Sequence, residues 1–291
     1  MRRASAEGIT ISGAPDRGGI TAWGNLRPTD AEGDDMTDLL QTPLHAFHIE
    51  HAAKMVPFAG YDMPVQYAAG VMKEHSQTRE NAGLFDVSHM GQVIVRGPDY
   101  ASAATALEAL IPVDILDLAE NRQRYGFFTN AAGGITDDLM LANRGDHVFV
   151  VVNAACKAND IAHMAANMPS GVSVTEITDR ALLALQGPRA EEALASLNPA
   201  VRDMNFMDVV TLDLNGADCW ISRSGYTGED GYEISVPNDA AVGLATALLA
   251  HDAVALIGLG ARDSLRLEGG LCLYGHDVDE ATTPSQASLT W

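Results

Sequence analysis

Cysteine is scarce in this chain. Its 291 residues include three, Cys156, Cys219 and Cys272, far apart and each in apolar surroundings. An odd number without CxxC spacing makes neither a disulfide framework nor a zinc site, so buried free thiols in a reducing compartment are expected. Basic residues are scarce too: 18 Lys and Arg stand against 39 Asp and Glu, a formal charge of -21. Nucleic acids are recognised through a basic footprint, and that class of partner is excluded on charge. No apolar run approaches the length of about 20 residues that a membrane-spanning helix needs, so no membrane role is expected. GxxxxGK, GxGxxG after a strand and GxSxG are all missing, which leaves nucleotide folds and serine hydrolases without support. No repeat of fixed period occurs.

What is present describes an ordinary globular chain, 47% hydrophobic and 20% charged, long enough for one large or two ordinary domains. Met1 to Asp35 differs: it is rich in Gly, Ala, Asp and Arg with little periodic apolar content, and is expected to be disordered. Arg2-Arg3 precedes no apolar segment, so it is not an export signal. Glu7, Asp16, Asp30, Glu32, Asp34 and Asp35 are too many acids for a mitochondrial transit peptide, and a bacterial cytoplasm is the expected location. Met36 is the expected true start, opening a region 36–291.

Along that region, Thr42-Pro43 reads as an N-cap and first turn of a helix carrying Leu44, Phe47 and His51. His45, His48 and His51 drift around such a helix, and no HExxH accompanies them. Core or solvated histidines are expected there, and no metal site. Pro57 to Pro64 reads as a rigid aromatic loop, Val71 to Asn81 as a helix stopped by Ala82-Gly83, and Leu84 to Val95 as a loop running into a strand. A helix (100–110), a strand (124–129), the turn Asn130–Gly134 and a returning strand (135–142) follow. Val148 to Val152 is a continuous apolar run, hence a buried strand, and it delivers Asn153 at its end. After a helix (154–168) come short strands (172–177, 182–186) and a helix opened by Gly187-Pro188. Asn215-Gly216 is the strongest hairpin signal, joining 209–214 to 217–223. Helices over 239–250 and 260–267 complete the pattern. Hairpins outnumber βαβ crossovers, so the fold class is α+β: mixed, largely antiparallel sheets with helices packed on them.

Two places carry chemistry. In the strand after Asn130–Gly134, period two puts Asp137 with Ile135, Leu139 and Leu141, and Asp138 with Thr136 and Met140. One of two adjacent aspartates must face whatever the sheet covers, and spacing does not say which. The second place is Ser224 to Val236, SGYTGEDGYEISV, with Gly225, Gly228 and Gly231 in seven residues. That is more glycine than a turn requires, although a decorated hairpin fits the local pattern. Arg262, taken alone, fits a helix-surface ion pair with Asp263 or Glu268.

Five ordered motifs resemble one family: Phe85-Asp-Val-Ser-His-Met90, Gly133-Gly-Ile-Thr-Asp-Asp138, Leu185-Gln-Gly-Pro188, the Ser224 stretch through Ile234, and Ala261 through Asp277. Together they resemble the glycine cleavage system aminomethyltransferases, the T-proteins. That resemblance implies a T-protein-like folate-binding fold of two intertwined subdomains over 36–291. It implies transfer of the one-carbon unit of an aminomethyl group from the lipoyl arm of a lipoylated H-protein to tetrahydrofolate, with ammonia released. Asp138 is the implied catalytic acid, facing the pocket while Asp137 does not. Asn153 and Glu233 would hold the pterin, with the glycines letting backbone approach its flat ring, and Glu229 would belong to the turn. Arg262 would lie by the benzoyl-glutamate side, Met90 and Tyr125 would form walls, and Tyr226 joins the folate-binding set. Family members run on past the position of Trp291 into a small β-barrel, so the expected reading is a fragment or truncated product. A tetrahydrofolate-dependent demethylase of a related branch and a non-catalytic folate-binding module are the alternatives.

Overall fold

The described residues of the computed structural model are 39–290; the expectations for Met1–Asp35 and for a start at Met36 lie outside them. The chain opens with helix α1 (His45–Glu50), the hairpin β1 (Lys54–Phe58) and β2 (Tyr61–Gln66), helix α2 (Val71–Glu80) and strands β3 (Ala82–Asp86) and β4 (Gly91–Arg96). Helix α3 (Tyr100–Glu108) leads to β5 (Gln123–Thr129), β6 (Ile135–Asn143), β7 (Val148–Val152), helix α4 (Lys157–Asn167), β8 (Ser173–Ile177) and β9 (Arg180–Gln186). Then come helix α5 (Ala190–Ala195), β10 (Val209–Leu214), β11 (Ala217–Ser222), β12 (Gly231–Pro237), helix α6 (Asn238–Leu249), β13 (Val254–Leu256) and helix α7 (Leu259–Glu268).

Two larger sheets result: six strands ordered β10-β11-β12-β9-β3-β13, and five ordered β5-β6-β7-β4-β8. All pairings are antiparallel except β13 with β3. This is the α+β architecture expected from the hairpins. Each sheet has one apolar face under helices. Leu183, Leu185, Tyr232, Ile234 and Val236 of the six-stranded sheet pack with residues of α5 and α6. Val93, Leu139, Leu141, Val150 and Val152 of the five-stranded sheet pack with residues of α3 and α4. The opposite faces meet each other, with Phe149 against Trp220 edge to face at 5.5 Å. Truncating a buried anchor such as Leu183 to Ala costs about 2–5 kcal/mol by lost transfer energy and cavity formation.

Several local expectations are corrected. Thr42 does not cap a helix: its hydroxyl donates to Asp86 Oδ2 at 2.7 Å, and α1 begins three residues later. His48 also reaches Asp86 Oδ2 (2.8 Å) and, through Nδ1, the Tyr67 hydroxyl (2.9 Å), so it is a core residue. Burial pushes the Asp86 carboxyl up, but the His48, Ser88 and Thr42 contacts outweigh it and hold the group below its ordinary value. Pro57–Pro64 is a hairpin, turned at Ala59 and Gly60, both with positive φ. Among the described residues, only Tyr61 is bridged beyond the ribbon's own ladder, by Leu40, so Pro57 and Pro64 lie where a proline forfeits no ladder bond. Ala82-Gly83 is not a helix stop but the start of the wholly buried β3. The three-residue β13 had no local signal, since its pairing is with β3. Cys219 is buried as expected, while Cys156 and Cys272 are half-buried; all three are free. No helix among the described residues is long and apolar enough to cross a membrane.

Candidate functional site

The register of the five-stranded sheet decides which aspartate faces where. Tyr125 lies opposite Met140, Met140 opposite Val151, and Phe127 opposite Asp138. Directly opposed residues share a face, so Tyr125, Phe127, Asp138, Met140, Val151 and, two residues on, Asn153 lie on one face. There Val151 packs with Leu182 and Ala184 of the six-stranded sheet, and Tyr125 and Phe127 pack with Tyr274 and Val278 of the segment after α7. Asp137 takes the other face with Leu139 and Leu141 and is fully buried, whereas Asp138 is half-buried.

The two carboxyls are tied by one amide. Asn153 Nδ2 donates to Asp137 Oδ1 (2.9 Å), to the Asp138 carbonyl (3.1 Å) and to Asp138 Oδ1. The Tyr125 hydroxyl donates to Asp138 Oδ2 at 2.9 Å. Burial, and then the Asp137 charge, raise the Asp138 carboxyl to about 6 despite those donors. Burial and the neighbouring Asp138 carboxylate push the Tyr125 phenol well up, so it stays a donor.

Between the sheets lies a small cavity with an open mouth, which Asp138, Asn153 and Tyr125 do not line. Phe85, Met90, Val151 and Leu182 give it apolar walls, and Tyr226, Glu233 and Arg262 supply the polar groups. Glu233 sits on β12 opposite Ser222 and Ala184, on the face away from Tyr232 and Ile234. Its carboxylate accepts from Ser224 Oγ at 3.3 Å, and burial raises it above the ordinary value. Arg262 stacks over the Tyr226 ring, 4.6 Å from its centroid. The expected helix-surface ion pairs go to other partners: Asp263 accepts from Arg266 (2.9 Å), and Glu268 binds Arg79 and His75. Burial lowers the Arg262 guanidinium, with the Tyr226, Glu233 and Asp263 fields opposing that. Tyr226 joins the two groups of residues, because it lies in the field of Asp138 and its hydroxyl donates to the Cys272 carbonyl.

The glycines of the Ser224 stretch serve packing within the chain, which corrects the expectation of approach to a flat ring. A Cβ on Gly225 would fall 1.6 Å from Gln186 Oε1, and one on Gly231 would fall 2.4 Å from the Leu185 carbonyl oxygen. Gly228 has φ +81° and packs on Gly269. Glu229 on this turn pairs with Arg79 at 2.9 Å. His89, beside Met90, is fully buried; burial and the Arg262 charge lower it to about 3, so it is neutral. A second recess, with about 500 Å³ of empty space, lies by Asn121, Met204 and Asp208, but its arginine, Arg122, is already spent on Asp208. Among the described residues no grouping of His, Cys, Asp and Glu is placed to hold a metal.

Sequence reasoning missed Asp160 and Cys156, which flank Asp137 from α4. A signal existed: Asp160 and Met164, four residues apart, share the buried side of that helix.

Residues 44–291 match the family model described as the GCVT N-terminal domain. "Aminomethyltransferase, mitochondrial" of Dictyostelium discoideum is 45% identical over 270 residues, covering 87% of this chain and 66% of that protein. The protein of the same description from Homo sapiens is 47% identical over 262 residues, covering 87% and 64%. The crystal structure of glycine cleavage system aminomethyltransferase T from Bartonella henselae superposes with a TM-score of 0.82 at 42% identity, covering 87% of this chain and 69% of that one. The fold and sequence are thus those of a folded module shared with aminomethyltransferases. The chain belongs to the GCVT N-terminal domain family, and it spans 64–66% of the length of these curated relatives.

Proposed function

We propose that this chain binds tetrahydrofolate in the inter-sheet cavity and carries out aminomethyl transfer from a lipoylated H-protein. The observation that carries the proposal is the pair of unspent groups in one half-buried cavity. Among the described residues, Arg262 is a cation held on an aromatic face with no carboxylate bonded to it, and Glu233 is a carboxylate with a single side-chain donor. A pterin offers adjacent N–H donors to an acceptor such as Glu233, and a charged, carbonyl-rich tail suits a planar guanidinium. These residues fit the two ends of a folate. Met90 and Val151 supply the apolar wall that a flat ring needs.

In the reaction the methylene carbon loses its bonds to sulfur and to the amine nitrogen and gains bonds to N5 and N10 of the folate. The two hydrogens displaced from N5 and N10 complete ammonia and the lipoyl thiol. Most of the acceleration comes from holding the folate nitrogens against the bound aminomethyl group. Asp138, ionised above about pH 6, accepts a hydrogen bond from the folate beside those nitrogens and orients it, while Tyr125 and Asn153 fix the carboxylate. Acid–base assistance from this group is worth up to about 10²–10⁴-fold.

Calorimetric titration of folinic acid into the chain tests the binding half, and methylene-tetrahydrofolate formation from aminomethylated H-protein tests the chemistry. Saturable binding that Glu233→Ala and Arg262→Ala weaken, with turnover that Asp138→Ala abolishes, is the expected result. Absence of binding, or turnover indifferent to Asp138→Ala, overturns the reading.

A further inference from the structure

On the buried face of the five-stranded sheet, Asp137 is surrounded by groups that all act as donors toward it. Asn153 gives it Nδ2 (2.9 Å) and its backbone N–H (3.3 Å). The Cys156 thiol and the Asp160 carboxyl are in hydrogen-bonding contact with it as well. Asp137 is fully buried and Asp160 is 5% exposed, and Asp160 Oδ2 is buried without a hydrogen-bond donor. The groups facing this pair are Asp138 from the sheet, Asn153 and Cys156 from the turn into α4, and Tyr274 from the segment after α7. None of them is a cation. Two ionised carboxylates in contact, buried and without a counter-charge, are not sustainable.

We propose that Asp160 and Asp137 share one proton at neutral pH and act as positioning residues, locking the Asn153 amide so that its nitrogen is held on the two aspartates and its carbonyl oxygen is left as the free end beside Asp138. The chemistry of the amide supports this. Asn153 Nδ2 has two hydrogens, and Asp137 and Asp138 take both. Oδ1 is then the free end, and Asn153 meets a ligand as an acceptor, selecting an N–H edge over a carbonyl. Burial, followed by the contact with Asp137, raises Asp160 to about 9, in keeping with a protonated carboxyl. Asp137 is then the acceptor of the pair and carries the single charge.

This inference rests on the proposed folate site only for the identity of the ligand, and the test separates the two. Asp160→Asn imitates the protonated carboxyl, keeping a donor and adding no charge. Asp160→Ala removes the donor. Carboxyl-carbon NMR on the full chain should show the Asp138 titration unchanged in Asp160→Asn. Side-chain exchange of the Asn153 amide should stay slow in Asp160→Asn and accelerate at least about tenfold in Asp160→Ala, as a local opening of about 1.4 kcal/mol would give. Folinic acid affinity should follow the same order. The proposal is overturned if Asp160→Asn lowers the Asp138 midpoint by about one unit, the effect of deleting a neighbouring charge. It is equally overturned if Asp160→Ala leaves the Asn153 amide as slow as before. Should Asp160→Ala not fold, the Asp160→Asn titration decides alone. Failure of the unsubstituted chain to bind folinic acid would count against the folate reading while leaving both NMR results readable.

Discussion

Arg262 lies over the face of Tyr226 at 4.6 Å, and the carboxylate next to it in sequence, Asp263, is bonded instead to Arg266 at 2.9 Å. Helix geometry explains the choice. Residues three apart are neighbours on a helix surface, and adjacent ones diverge. The stacking ring holds the guanidinium in a half-buried place without consuming its donors.

Replacing that cation exposes its role. Arg262→Ala should weaken folinic acid binding by about 10–100-fold, the range of a charge-assisted hydrogen bond. Arg262→Lys should recover only part of it, because an ammonium lacks the planar fork. Calorimetry on the two variants measures the difference, and full recovery by lysine would remove the argument for a fork.

Glu233 makes an opposite demand on pH. Burial raises its carboxyl, so it protonates at a higher pH than an ordinary glutamate and stops accepting. Affinity for folinic acid should therefore fall as pH falls through this raised value. Glu233→Gln should bind about tenfold more weakly at neutral pH and keep only the Asp138 step near pH 6. A wild-type affinity that stays flat down to pH 4 would argue against the assignment.

Asp138 couples function to stability. Its folded carboxyl, at about 6, lies above the ordinary 3.8, so the protonated form is favoured in the native state. The associated stability is present below about pH 4 and lost as pH rises through 6. At about 1.4 kcal/mol per unit this amounts to about 3 kcal/mol. Asp138→Asn should remove the dependence and unfold several degrees higher than wild type at pH 8 by scanning calorimetry, while turnover collapses. A lower melting temperature at pH 8 would refute the raised carboxyl.

Glycines separate packing from turn geometry. Gly231→Ala puts a methyl 2.4 Å from the Leu185 carbonyl, part of the β9 ladder, and should cost about 3 kcal/mol. Gly216, with φ +82° and open space around it, should cost only about 1–2 kcal/mol as alanine. Urea midpoints of the two variants give the comparison.

The elements with strong local chemistry were legible in the sequence. Asn215-Gly216 gives a hairpin with positive φ at both residues, and the Val148–Val152 run is a buried strand. What failed had non-local causes. Pro57 and Pro64 disguise a ribbon because prolines usually signal loops, and Ala82-Gly83 imitates a helix stop although β9 and β13 bury it on both sides. The choice between Asp137 and Asp138 was left open because alternation fixes which residues share a face, not which face meets the second sheet. The resemblance supplied that choice. The part played by Asp160 was hidden because a helix acid becomes informative only once the strand beneath it is known.

The pairing of β3 with β13, Ala82 against Val254 across more than half of the sequence, bears on how the molecule comes into being. Cavity walls at Phe85 and Met90 are synthesised long before Glu233 and Arg262, and the segment carrying Cys272 seals Tyr226 later still. A nascent chain therefore exposes an open sheet edge and an apolar trough through most of its translation. Contacts this distant in sequence form slowly. Until α7 has cleared the ribosome, the cavity lacks Arg262 and its apolar trough has no finished cover.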